Sequence, residues 1–252
     1  MRQVPFLVHA FLYYNNRINK AEIIPMVYAV SDLHGCYDKY KKLLDRLNLT
    51  ENDSLYILGD IVDRGDGGMA ILLDLAKRKN IFSYRGNHDH CAQMLLRKFA
   101  IPNNGYFADG FVEAFRAWLS DGGNATYEGF LKLDYKNRLT AINYLNSLPL
   151  FEELSIGGQK YFLAHTVPAK EKMLQMANCC LFDFIMGEPE YEKTYFEDTA
   201  VITGHTPTGF IDPDYTGRIW KGNNHIAIDC GAVFGNPLGC ICLDTMEEIY
   251  VE

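Results

Sequence analysis

Apolar and polar positions along this chain fall into short blocks with recognisable periods. Residues 27–31 form an apolar run ending in Asp32-Leu33-His34-Gly35, the pattern of a buried strand entering a polar loop. Residues 37–47 place Tyr37, Tyr40, Leu43, Leu44 and Leu47 on one helical face and lysines on the other, predicting an amphipathic helix. Residues 54–58 predict a second strand ending at Gly59-Asp60, and residues 69–79 a second amphipathic helix. A third strand is predicted at 81–84, ending at Gly86-Asn87-His88-Asp89. Such a β-α-β-α-β series implies parallel strands joined by right-handed crossovers. The strand C-termini of such a sheet share one edge, so the three polar clusters are expected to converge despite their separation in sequence.

From His90 to about Ser147 the pattern is helical, interrupted at Asn103-Asn104-Gly105 and at Asp121-Gly122-Gly123-Asn124. After Pro149 it changes to short strands, predicted at 151–156, 161–164, 200–203, 226–230, 239–243 and 248–251. An α/β first half followed by a strand-rich second half predicts two packed mixed β-sheets flanked by helices. No repeat, low-complexity segment or linker interrupts residues 26–252, which are expected to form one domain. Residues 1–25 are expected to be an N-terminal extension of doubtful status, in keeping with an upstream start codon. Their apolar stretch is broken by Pro5 and His9, and no signal-type cleavage pattern follows.

Composition refines this picture. With 48% hydrophobic residues among 252, the chain can bury a sizeable core. Its formal charge of -8 argues against nucleic acid or an anionic membrane as partner. An anionic substrate must therefore be drawn by a local positive feature. The seven cysteines are odd in number and lack a C-x-x-C pair, so they are expected to be reduced core or near-core residues of a cytoplasmic protein.

The candidate chemistry sits at the predicted strand ends: Asp32-x-His34, Gly59-Asp60-x-x-Asp63-Arg64-Gly65, Gly86-Asn87-His88-Asp89, Ala164-His165 and Gly204-His205-Thr206. Mixed oxygen and nitrogen donors without thiolate suit divalent manganese, iron or zinc. A carboxylate can bridge two such ions, the arrangement that clamps an in-line displacement. In order and together, these motifs resemble the PPP family of serine/threonine protein phosphatases, within the calcineurin-like metallophosphoesterases. The resemblance runs from about Met26 to about Thr245.

That resemblance implies two divalent metal ions, manganese foremost, with iron or zinc as alternatives. Asp32 and His34 would bind the first ion, Asp60 would bridge both, and Asn87, His165 and His205 would complete the second. A metal-bridging hydroxide would be the nucleophile. His88 would protonate the leaving oxygen, held by Asp63, while Arg64, with Asn87 and His88, would bind the phosphoryl group. The family usually supplies a second phosphate-gripping arginine between its last two histidine ligands. No arginine lies between His165 and His205 here. Glu188 falls at the expected place, and Lys170, Lys172 or Lys193 are the available substitutes.

Taken singly, each of these residues has a plainer reading. Asp32 and Asp60 can cap a helix or form a turn. His165 lies in an apolar strand, where core histidines are common, and Gly204-His205-Thr206-Pro207 can be a simple turn. It is the ordered set that favours chemistry. His9, His90 and His225 are left outside it: His90 is expected on a helix surface and His225 is expected to be exposed. Asp229 is given no catalytic role. Three functions follow. The first is a serine/threonine protein phosphatase, acting on a phosphorylated protein or a small phosphoester. The second is a dinucleoside polyphosphate hydrolase, for which more basic residues near the site are expected. The third is a catalytically weak regulatory relative.

Overall fold

The computed structural model describes residues 25–100 and 109–252. The expected extension over 1–25 and the Asn103-Asn104-Gly105 interruption lie, apart from Pro25, outside those residues.

Two five-stranded mixed sheets form the centre. The first has the order β10-β9-β1-β2-β3 and the second β4-β5-β6-β8-β7. In the first, β1 (Val27–Val30), β2 (Ser54–Leu58) and β3 (Ile81–Tyr84) run parallel, with β9 (Leu238–Cys242) antiparallel to β1 and β10 (Glu248–Val251) antiparallel to β9. In the second, β5 (Gln159–Ala164), β6 (Thr199–Thr203) and β8 (His225–Ala227) are parallel. There β4 (Phe151–Ile156) and β7 (Trp220–Gly222) form antiparallel edges.

Alternation along each strand assigns its two faces. Leu55 and Ile57 of β2 pack toward the long helices, together with Tyr40, Leu43, Leu72, Phe130 and Leu145. Leu58 faces the second sheet, where it meets Leu163, Ile202, Ile226 and Ile241. On the far side, Phe162 and Val201 pack against Met173 and Phe184 of two short helices. The layers are therefore helix, sheet, sheet, helix, as the chain pattern predicts.

The predicted helix at 37–47 is Tyr37–Leu47. The one predicted at 69–79 is shorter, Gly68–Leu75. The helical region resolves into Asn87–Ala100, Phe111–Trp118, Asn124–Lys132 and Tyr135–Ser147. A kink at Leu119–Gly123 joins the second of these to the third, with Gly122 at φ 96°. Strand β7 is unpredicted. It pairs with β8 through the two-residue turn Asn223-Asn224, whose φ values of 50° and 57° suit a tight hairpin.

That edge strand overturns the expected exposure of His225. Because β8 lies inside the sheet, His225 is 1% exposed, and its Nε2 sits 2.8 Å from Thr203 Oγ1. Tyr191, Tyr195 and Trp220 surround its ring. The cysteines divide. Cys230, Cys240 and Cys242 are buried and Cys36 and Cys179 half-buried, whereas Cys91 and Cys180 are exposed; all seven are free thiols. Among the described residues no helix is long and apolar enough to cross a membrane.

Candidate metal centre

The loops after β1, β2 and β3 meet as parallel topology requires, and backbone bonds join the first two. Asp32 N donates to Gly59 O (3.1 Å), His34 N to Asp60 O (2.8 Å) and Gly35 N to Ile61 O (2.9 Å). The loops after β5 and β6 bring His165 and His205 to the same place from the second sheet. Asp32, His34, Asp60, Asp63, Arg64 and His205 all take positive φ, from 40° to 72°. Non-glycine residues hold that conformation only where their surroundings fix them, and the cost is about 1–3 kcal/mol each. Gly59 has φ 84°, and a Cβ there would lie 2.5 Å from His165 Nδ1. Glycine therefore lets β2 approach His165 closely.

Asp60 is central. Its Oδ2 lies 3.5 Å from His34 Nε2 and 3.6 Å from His165 Nε2. Two ligand groups share it: His34, Asp60 and His88 on one side, and Asp60, His165 and His205 on the other, with ligand atoms in each within 4.8 Å of one another. Asp32 adjoins the first group, its Oδ1 4.0 Å from His34 Nε2. Asn87 joins the second, its Oδ1 3.0 Å from His165 Nε2.

Several observations fit this cluster to a pair of divalent cations. Asp32 Oδ1 is buried without a hydrogen-bond partner among the described residues, while its Oδ2 accepts from His205 N. His34 Nδ1 pairs with Val62 O (3.0 Å) and His165 Nδ1 with Leu58 O (2.8 Å). A backbone carbonyl can only accept, so each imidazole turns a bare Nε2 inward, the usual way a ligating histidine is oriented. His165 Nε2 faces His205 Nδ1 at 3.1 Å. Burial pushes the imidazolium pKa of His34 and His205 down to about 4, which keeps both neutral and able to donate a lone pair. Burial likewise lowers His165. Burial opposes charge on Asp60 too, but its charge interaction with the protonated forms of His165, His34, His88 and His205 outweighs that and lowers the carboxyl pKa.

His88 differs from the other three. Its Nδ1 is 2.8 Å from Asp63 Oδ2 and its backbone N donates to Asp60 Oδ1. Burial disfavours imidazolium here as well, yet the Asp63 hydrogen bond and the nearby carboxylates prevail, and the pKa is raised. Arg64 spans the two imidazoles, with Nη1 beside His34 Nε2 (2.5 Å) and Nη2 3.0 Å from His88 Nε2. Its guanidinium also lies 5.4 Å from the Phe234 ring centroid.

The site has braces that the motifs do not reveal. Trp118 Nε1 donates to Asp63 Oδ2 (2.7 Å), the same oxygen that engages His88. Asp63 N donates to Thr126 Oγ1, and Arg64 N to Gly122 O. Asp89 accepts from Ile61 N and Gly86 N, tying the β2 and β3 loops together. The Gly122-Gly123-x-x-Thr126 stretch is the one signal that could have pointed to part of this scaffold; nothing in the sequence marks Trp118.

The expected phosphate grip is only partly assembled. Glu188 is exposed. Lys172 is paired with Asp183 (2.7 Å) and Lys193 with Glu190 (2.6 Å), so two of the three lysines proposed as substitutes are already engaged. His90, expected on a helix surface, is half-buried with its ring 6.0 Å from that of Phe182.

The model of the calcineurin-like phosphoesterases matches residues 25–234. The chain belongs to that family. A relative of this phosphoesterase from Bacillus cereus (strain Q1), named bis(5′-nucleosyl)-tetraphosphatase PrpE (asymmetrical), is 26% identical over 88% of this chain and 92% of its own length. One from Wigglesworthia glossinidia brevipalpis, named as the symmetrical bis(5′-nucleosyl)-tetraphosphatase, is 39% identical over 28% of this chain. That match spans only 27% of the relative's length. A solved structure assigned provisionally as a diadenosine tetraphosphatase superposes with TM-score 0.63 at 18% identity, covering 91% of this chain and 94% of that one. A serine/threonine phosphatase from Saccharomyces cerevisiae superposes with TM-score 0.56 at 12% identity, covering 90% and 75%. At these identities the two structures bear on fold alone.

Proposed function

We propose that this chain is a metal-dependent hydrolase of dinucleoside polyphosphates. The observation that carries the chemistry is Asp60, shared between two groups of ligand atoms beside the His88–Asp63 pair. The preference for dinucleoside over phosphoprotein substrates rests on the relatives that align along nearly the whole chain and bear that name.

Asp32, His34 and Asp60 would hold one ion, and Asp60, Asn87, His165 and His205 the other. When bound, the ions supply Lewis acidity and lower the pKa of coordinated water toward neutrality. The chain's own residues do the rest. His88, its Nδ1 held by Asp63, would deliver a proton from Nε2 to the leaving oxygen. Arg64 presents a planar fork to the phosphoryl oxygens, with Asn87 and His88 lining the same position. The scarcity of cations between His165 and His205, which by sequence favours monoesters, is less decisive beside such a centre. Two divalent ions carry more positive charge than Asp32 and Asp60 offset, and they meet phosphate charge directly.

A second reading, phosphomonoester hydrolysis on a phosphorylated protein, is favoured by the engagement of Lys172 and Lys193 in ion pairs. Turnover of diadenosine tetraphosphate and of a phosphoserine peptide, each with manganese, iron or zinc, separates the two. The proposal expects the higher kcat/KM for the dinucleotide and its loss in His88→Asn. A higher value for the peptide would reverse the assignment. No turnover of either with any divalent ion would leave the chain as a regulatory relative.

A further inference from the structure

The two most exposed large apolar side chains among the described residues flank one cavity beside the metal centre. Phe210 is 82% exposed and Phe234 is 62% exposed. Phe210 lies in the short helix Thr208–Ile211, which follows the His205 loop. Phe234 ends the turn Ala232–Phe234, between the left-handed Gly231 and Gly235. Both border a cavity of about 220 Å³, with Pro207, Thr216, Cys230 and Asn236 among its other walls. No charged residue borders it among the described residues. Backbone bonds hold the two rings in place. Thr208 N donates to Asp229 O (2.9 Å), joining the two segments, and Lys39 Nζ donates to Ala232 O (3.3 Å) and Asn236 O (2.5 Å).

We infer that this cavity seats a nucleobase of the substrate, with Phe210 and Phe234 as stacking faces and Asn236 as the contact to the base edge. The inference rests on the dinucleoside polyphosphate reading above. Two rings left in water beside a reaction centre forgo the gain of burial, the mark of a surface that something covers. A base offers the flat π-face that such rings accept. Phe234 ties the cavity to the phosphate grip, because the Arg64 guanidinium lies 5.4 Å from its ring centroid. A phosphate held by Arg64 therefore has its nucleoside next to that ring.

Charge and size point the same way. The uncharged cavity suits an uncharged base, while the phosphates stay with Arg64 and the metal ligands. Its volume is below the ~300 Å³ at which pockets for whole small ligands begin, so it takes one part of a dinucleotide. Asn236 adds a specific feature. A side-chain amide sets a donor beside an acceptor, the pair that matches the amino group and ring nitrogen of adenine. Because Lys39 and Thr208 fix both walls beforehand, little ordering is left to binding.

Calorimetry on the manganese-loaded protein, with adenosine monophosphate and with inorganic phosphate, tests this. The monophosphate is expected to bind at least ~fivefold more tightly than phosphate, and Phe210→Ala to remove most of that advantage while leaving phosphate affinity unchanged. Phe210→Trp, which keeps a stacking face, should restore it. Asn236→Leu approaches from another wall and should likewise weaken the monophosphate alone; it serves if Phe210→Ala misfolds. No advantage of the monophosphate in wild type, or equal weakening of both ligands, would overturn the inference. In turnover of diadenosine tetraphosphate, Phe210→Ala should raise KM at least ~fivefold with kcat little changed. If that substrate is not cleaved but the monophosphate loses its advantage in Phe210→Ala, the substrate reading fails while the base site stands. If it is cleaved with KM unchanged in both variants, the base site fails while the substrate reading stands. A fall in kcat/KM confined to a phosphoserine peptide would assign the cavity to a peptide side chain and overturn the inference.

Discussion

Replacing Trp118 by Phe should cost this protein more than lost bulk, because the indole N–H is one of two donors on a single oxygen of Asp63. That carboxylate is 0% exposed, and its Oδ2 accepts from Trp118 Nε1 at 2.7 Å and engages His88 Nδ1 at 2.8 Å. Its other oxygen, Oδ1, has no partner among the described residues, and the full burial of the carboxylate keeps solvent from replacing the lost donor. A hydrogen bond to a charged group contributes roughly 1.5–3 kcal/mol, and a near-conservative change of core shape adds about 1 kcal/mol. Trp118→Phe should therefore lower the unfolding free energy by about 2.5–4 kcal/mol. A cycle with Asp63→Asn separates the two contributions. The amide keeps the shape and can still accept the indole N–H, so the coupling isolates the charge-assisted part, about 1 kcal/mol. Urea unfolding of the four proteins, with manganese and with chelator, measures it. A coupling indistinguishable from zero would falsify the claim that the indole braces the carboxylate, and the whole loss would then belong to packing. Activity gives an independent reading: with one donor gone, Asp63 pulls harder on His88, and the basic limb of kcat/KM should move to higher pH.

Further outcomes follow from the same geometry. A Cβ on Gly86 would fall on Asp60 Oδ1 and on the Asp60 backbone nitrogen, so Gly86→Ala should displace the shared ligand. On the proposed two-ion site, elemental analysis after desalting should count less bound metal per chain than in wild type while far-ultraviolet dichroism is retained. Burial holds His225 at about 3, well below the ordinary 6.5. Between those values only the unfolded chain takes up the proton, so this contribution is intact above pH 6.5 and is lost as pH falls. At pH 5 the deficit is about 2 kcal/mol, and a His225→Gln variant should lose correspondingly less stability than wild type between pH 7 and 5. Because Asp32 and Asp60 are buried together, saturating manganese should raise Tm, and His205→Ala should shrink that rise. Glu188 is exposed, so Glu188→Gln should change kcat/KM by less than about twofold. A tenfold gain would place its carboxylate against the substrate phosphate.

Much of the fold was legible because the strands that carry the site are strongly patterned. β2 and β3 are bounded as their apolar runs predict, and the convergence of Asp32, Asp60 and Asn87 follows from parallel topology alone. His165 and His205 needed the family resemblance, since a histidine after an apolar strand has no local signature. What escaped is what depends on tertiary contact. Trp118 reads as an ordinary apolar residue on an amphipathic helix until Asp63 is seen beside it. His225 looks exposed until β7, three residues long, is known to cover β8. The hairpin turn Asn223-Asn224 was the available clue, since asparagine tolerates the left-handed backbone that the turn requires.

The left-handed conformations of Asp32, His34, Asp60, Asp63, Arg64 and His205 also bear on how the protein can be engineered. Glycine relieves backbone strain at each of these positions while deleting a candidate site side chain, although at Asp63 the lost hydrogen bonds to Trp118 and His88 cancel that gain. A library selected for heat resistance alone should therefore drift toward robust, inactive proteins, with substitutions enriched in these few loops. Selection that demands turnover at every round would have to find its gains elsewhere, in the helical layer or along the outer sheet edges.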